Sequence, residues 1–297
     1  MRRLAWLCAV TVLAVTTLSA FIRLSNAGLG CPDWPQCYGE RGVEAAAGGA
    51  RSDEVTATVV ARLAHRVMAV LALLIVVVLI MVCFSERPRL RAQGGVAIAL
   101  LALALFLAVL GRWSSGARVP AISIANLIGG FAMLALSLRL AIRAEAPPPL
   151  RQRVAAVAAV LLLLAQVAVG GLVSASHASL SCVGWSDCAA AARAVPWSTL
   201  DPWREPLLSA GPPFNAAGAL SQSIHRVTAL LLVPVLLFLA IRARRGGRPR
   251  IAAALIALLA AQLIAGLAMA QGSLPLGLAL LHNLLAACLL ATLVLLV

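Results

Sequence analysis

Four histidines stand in a 297-residue chain that carries little other polar chemistry: His65, His177, His225 and His282. Three of them fall in long apolar runs. His65 and His225 each open such a run as part of a His-Arg pair, in RLAHRVMAVLALLIVVVLIM at 62–81 and QSIHRVTALLLVPVLLFLAI at 222–241. His282 lies in the last run of the chain. A full charge near the middle of a membrane span costs about 2.5–3.5 kcal/mol on insertion scales, so an ionisable residue there is a functional candidate. A neutral imidazole is cheaper to bury, and it is the commonest metal ligand.

His225 lies a few residues into its run, and His282 about seven residues in from the same side. At 1.5 Å per residue both are within roughly 10 Å of one surface. Two imidazoles at one level on two helices of a bundle can clamp a flat metal cofactor. Histidine is a standard axial ligand of haem iron, whereas a closed zinc site wants four ligands. No acidic residue lies well inside any apolar run, which argues against a carboxylate-bridged centre. Bis-histidine haem is therefore the economical expectation for His225 and His282. For any one of them alone, a structural polar residue bonded to a neighbouring helix is the plainer alternative. Arg226 and Arg66 either snorkel to headgroups or pair with haem propionates, since guanidinium suits carboxylates. His177 is expected to be a solvated loop residue.

The elements that must position these side chains are membrane helices. Apolar residues make up 62% of the chain and charged residues 11%, against about 45–50% and 25% in soluble domains. Runs of about 20 apolar residues occur at roughly 4–24, 58–83, 94–112, 119–141, 154–174, 223–242, 250–270 and 275–297. They lack the alternation of a barrel strand, so helices are expected. The first run is long enough to span and has no clear cleavage site after it, which separates it from a secretory leader. The net charge of +14 comes from arginine alone, and most of it flanks the runs. It is a topology signal rather than a nucleic-acid footprint. Fourteen of the 24 arginines, among them Arg2, Arg3, Arg87, Arg151, Arg244 and Arg250, fall on one side of an eight-span chain. Both termini are then cytoplasmic, and the loops at about 25–57 and 175–222 face outward.

Those two loops repeat a motif. Cys31-Pro-Asp-Trp-Pro-Gln-Cys37 and Cys182-Val-Gly-Trp-Ser-Asp-Cys188 share the C-x5-C spacing with a central Trp, and each precedes a His-Arg span. On an oxidising face a short disulfide, Cys31–Cys37 or Cys182–Cys188, fits better than a metal site, which would need further ligands nearby. The fold expected is an all-α integral membrane protein. Its eight transmembrane helices form two pseudo-symmetric four-helix bundles, residues 1–146 and 150–297, inserted in the same sense. The repeat places Asn126 where a partner for His65 should lie. The first half could hold a metal through His65 alone with an open position, or the site could be lost.

Arg23-Leu-Ser-Asn-Ala-Gly-Leu-Gly-Cys31-Pro-Asp-Trp-Pro-Gln-Cys37-Tyr-Gly resembles the first outer loop of bacterial haem A synthases. The eight spans, the duplicated halves, Gly111-Arg112-Trp113, His65-Arg66, Gln222-Ser-Ile-His225-Arg226 and Leu281-His282-Asn283 are similar to that family over essentially the whole chain. The resemblance implies oxidation of a ring methyl of haem O to a formyl group, giving haem A for terminal oxidases. It implies haem b held by His225 and His282. Substrate haem O would sit in the first half with His65 as its ligand, and both C-x5-C pairs would be disulfides. Location in the bacterial inner membrane, among lipid, follows. A haem O synthase and an electron donor are the candidate protein partners. The family carries a Glu three residues before the first-half histidine, and here that residue is Arg62. Glu54 is eleven residues from His65, about 16 Å along a continuous helix. Arg62 and Asn126 join His65 as the residues expected at the substrate. Two other classes stay open: a non-catalytic haem-binding assembly protein, and a b-type cytochrome passing electrons from quinol.

Overall fold

The computed structural model describes residues 1–26, 52–86, 90–114, 119–142, 149–206 and 215–297. All regular structure among them is helical. The long helices are α1 (Arg2–Asn26), α2 (Ser52–Ser85), α3 (Arg91–Ser114), α4 (Pro120–Ala141) and α5 (Leu150–Ala175). After the short α6 (Trp185–Arg193) come α7 (Ala219–Arg245), α8 (Pro249–Gln271) and α9 (Leu276–Val294). Eight of the nine are long and apolar enough to cross a membrane. The chain is a multi-pass all-α membrane protein, and each expected span overlaps one of these helices.

Local sequence sets the helix ends. Pro120 and Pro249 occupy the first position of α4 and α8, and Pro149 and Pro275 immediately precede α5 and α9. Proline fits there because the first turn has no intrahelical acceptor for its missing N–H. Inside the spans, Thr11, Thr16, Thr17 and Thr292 turn their hydroxyls back onto the carbonyl one turn earlier, which hides the polar atom from lipid.

The helices pack as two rings. In the first, α1 touches α2 and α4, and α3 touches α2 and α4; in the second, α5 touches α7 and α9, and α8 touches α7 and α9. The rings meet where α4 and α9 pack on each other, α1 packs on α9 and α4 packs on α5. Those contacts are what a two-fold axis between α4 and α9 would generate. Phe131 of α4 and Leu289, Leu290 and Leu293 of α9 are fully buried there.

The connection from α5 to α7 is built rather than loose. His177 stops α5 in the left-handed region, at φ 54°. The Ala178 N–H reaches back to the Val173 carbonyl at 2.9 Å and the His177 N–H to that of Ser174 at 3.4 Å, the paired bonds of a Schellman cap. Asn215 then donates to the Ser176 carbonyl at 2.9 Å, and Gln222 of α7 to that of Ser179 at 3.2 Å. Gly218 sits so close to Ala178 that a Cβ there would come within 2.3 Å of the alanine methyl. Cys182 and Cys188 are joined by a disulfide, with Cys188 on α6. Cys31 and Cys37 lie outside the described residues. Trp185, Trp197 and Trp203 are exposed on this segment, and the Pro202 carbonyl accepts the Ala121 N–H at the start of α4, which ties the loop to the other ring.

His177 was expected in solvent, yet its Nδ1 is buried. Burial pushes its pKa from 6.5 down to about 4. The folded state keeps this ring neutral while the unfolded chain protonates it near pH 6.5, so the stability it contributes is complete above about pH 6.5 and is lost as pH falls toward 4. The loss approaches roughly 3 kcal/mol at full protonation. Thermal unfolding in detergent should show Tm falling between pH 6.5 and 4, with a shallower fall in His177→Asn, whose side chain tolerates the left-handed backbone.

Candidate functional site

Two of the three membrane histidines lie on helices of the second ring. His225 is in the second turn of α7 and His282 in the second turn of α9, helices that stand opposite one another among α5, α7, α8 and α9. The two imidazoles lie within electrostatic range of each other.

Each imidazole is met by an amide from a neighbouring helix. Gln166 of α5 places its Nε2 3.0 Å from His225 Nδ1 and donates to the His225 carbonyl at 2.9 Å. The Thr228 hydroxyl donates to Gln166 Oε1. Gln262 of α8 places its Nε2 3.1 Å from His282 Nε2. One turn beyond each glutamine is a glycine beneath the same ring. A Cβ at Gly170 would come within 2.9 Å of His225 Cε1, and one at Gly266 within 3.3 Å of His282 Cε1. His282 Nδ1 and Gln262 Oε1 are both buried without a hydrogen-bond partner. None of these four α5 and α8 residues was singled out from the sequence. The signal was there as a repeated Gln-x3-Gly inside two apolar runs, at 166–170 and 262–266.

Among the described residues no three His, Cys, Asp or Glu side chains gather as a metal cage. Two opposed imidazoles suit a metal that brings its own equatorial ligands, as porphyrin iron does. The unmet nitrogen on His282 fits such a group, and the two glycines make room for the imidazoles themselves.

Arg226 meets partners beyond those expected. Its guanidinium donates to the carbonyls of Val183 at 3.1 Å and Cys182 at 3.4 Å, touches Cys188 Sγ at 3.1 Å and lies 6.0 Å from the Trp185 ring centre. Headgroup and propionate were the two partners considered for it, and the disulfide loop is a further one. One turn earlier, Ser223 donates to the Cys188 carbonyl at 3.1 Å. Arg66, its counterpart in the first ring, is exposed on α2.

In the first ring, His65 is half-buried on α2. Arg62, one turn earlier on the same helix, donates to Asn26 Oδ1 at 3.4 Å. Asn126 of α4 donates to Ser19 Oγ at 3.3 Å. Both bonds end on α1. Because α2 is unbroken, Glu54 and His65 share one helix eleven residues apart. Arg23 was not weighed as a site residue, yet it crosses between the rings. From α1 it donates to the Ser174 hydroxyl of α5 and to Asn283 Oδ1 of α9 at 3.5 Å, the residue after His282.

Eight spanning helices in two packed rings define a polytopic all-α membrane protein. The chain belongs to the COX15-CtaA family, cytochrome oxidase assembly proteins, whose family model matches residues 2–294. It is 30% identical to the "Heme A synthase" of Shewanella oneidensis, over 98% of this chain and 95% of that one.

Arg226→Ala removes a cation that ties α7 to the loop. Charge-assisted hydrogen bonds of this kind are worth roughly 1.5–3 kcal/mol. Amide hydrogen exchange over 182–193 should speed up by about tenfold or more, with little change in α8 and α9. Unchanged exchange would show that the disulfide alone holds the loop.

Proposed function

We infer that this protein is a haem A synthase, a membrane oxidoreductase that converts the haem O ring methyl to the formyl group of haem A for terminal oxidases. The observation that carries this is the pair His225 and His282, each met by a glutamine in one four-helix ring, inside a chain of the cytochrome oxidase assembly family. The relative's printed activity and its near full-length match support the same reading.

The C-terminal ring is the cofactor half in this proposal, with His225 and His282 as the two ligands of haem b. That group would supply one-electron chemistry that side chains lack. The N-terminal ring is the substrate half. His65 would orient haem O, and Asn126 would line the opposite side of the same space as an uncharged wall that does not compete for iron. Arg62 would carry positive charge to the propionate edge from its place beside Asn26. Packed Leu and Ala around both rings exclude water. The arginine distribution supports cytoplasmic termini in the bacterial inner membrane, which puts the disulfide loops on the oxidising side. A haem O synthase and an electron donor are the partners this reaction requires.

A second reading has its own observation. Arg62 stands where the family has a glutamate, and both Arg62 and Asn126 are engaged with α1. A non-catalytic haem-binding assembly protein would look like this. Pigment extraction after expression with a haem O supply separates the two: haem A supports the synthase, and haem b alone supports the assembly protein.

His225→Ala and His282→Ala should each abolish the low-spin bis-histidine spectrum of the purified protein. A spectrum unchanged in both would remove the cofactor assignment. With haem O bound, Asn126→His should turn an open coordination position into a low-spin six-coordinate one. No spectral change there would move Asn126 away from the iron.

A further inference from the structure

Glutamine and histidine alternate around the second ring: Gln166 on α5, His225 on α7, Gln262 on α8 and His282 on α9. Residues i and i+4 share a helix face, so Gln166 with Gly170, and Gln262 with Gly266, present an amide and a gap to one imidazole together. The first ring has nothing equivalent. Among the described residues its only helical glutamine is Gln93, three residues into α3 at the arginine-rich end.

Packing does not call for a buried amide, since an unmet polar atom there costs stability. Gln262 Oε1 and His282 Nδ1 are two such atoms in one contact. An amide, however, can serve a histidine in two states. It donates to a bare ring nitrogen, as both glutamines do here. Turned over, it accepts from a ring N–H. A neutral imidazole bound to iron at one nitrogen carries its hydrogen on the other. Gln262 Oε1 would accept that hydrogen, and His282 Nδ1 would face the metal; the Gln262 N–H group would then take the place the unmet oxygen holds now. For Gln166 the partner needed for the turn is already in place. The Thr228 hydroxyl donates to Gln166 Oε1, and it can instead accept from the amide while donating to the Ile224 carbonyl 2.7 Å away. The bond to the His225 carbonyl is given up in exchange.

We propose that Gln166 and Gln262 are positioning residues that orient His225 and His282 toward a shared iron and tune both ligands by accepting their remote ring N–H. This rests on the bis-histidine haem reading above. An accepted N–H makes the imidazole a stronger donor, which favours ferric over ferrous iron and lowers the midpoint potential.

The test uses the purified full-length protein with its own haem. A wild type without a low-spin bis-histidine spectrum overturns the underlying reading before any variant is made. Given that spectrum, Gln166→Leu and Gln262→Leu should each raise the midpoint potential and weaken haem retention by about 10–100-fold. Gln166→Glu and Gln262→Glu keep an accepting oxygen at the same reach. They should return retention to wild type and the potential to wild type or below. Leucine variants with unchanged potential and retention overturn the proposal. So does a rise that the glutamate variants fail to reverse, which would assign the effect to packing. Where a leucine variant does not accumulate, its glutamate partner decides: a potential at or below wild type supports the proposal, and one above overturns it.

Discussion

Hydrocarbon offers a buried imidazole no water, so every partner it needs must come from another helix. That constraint explains the composition of the second ring. His225 and His282 cannot be placed among leucines alone, and the neighbouring helices answer with one glutamine each. Amides are the suitable answer because they add no charge to the bilayer interior. A carboxylate in the same place would bring a desolvation cost of several kcal/mol. The glycines one turn away follow from the same need, since a ring can stand beside a helix only where that helix has no side chain in the way.

The first ring solves the problem in a different direction. Its polar side chains turn toward α1: Arg62 to Asn26, and Asn126 to Ser19. α1 also reaches across the seam through Arg23, which touches Ser174 and the residue beside His282. The same ring of four helices thus carries two internal chemistries, an imidazole–amide lattice in one copy and a set of bonds to a single helix in the other. The surface loop joins the copies again, through Pro202 and the first turn of α4.

Much of the architecture was legible because the bilayer makes strong demands on sequence. Eight apolar runs, their arginine flanks and the doubled C-x5-C loop are local patterns, and each long helix falls on an expected run. His225 and His282 stood out for a related reason, since polar residues are rare in such runs. The loop partners of Arg226 were not legible, because its neighbours in sequence do not include them. A residue in the second turn of a span reaches the loop above it only once α5, α6 and α7 are assembled. His177 was misread for the same reason: its burial comes from a helix cap and from Asn215, thirty-eight residues on.

Periodicity and composition by themselves determined that this chain crosses a membrane eight times as helices, and that three histidines stand at costly depths within it. They could not say which helices are opposite and which adjacent, because an apolar helix reads much the same on every face. Tertiary packing decided that α7 and α9 stand across a ring. It thereby joined Gln166 to His225 and Gln262 to His282, contacts between residues 59 and 20 positions apart. Hydrogen bonds act over about 3 Å, and only the folded bundle brings donors and acceptors from four separate spans within that range.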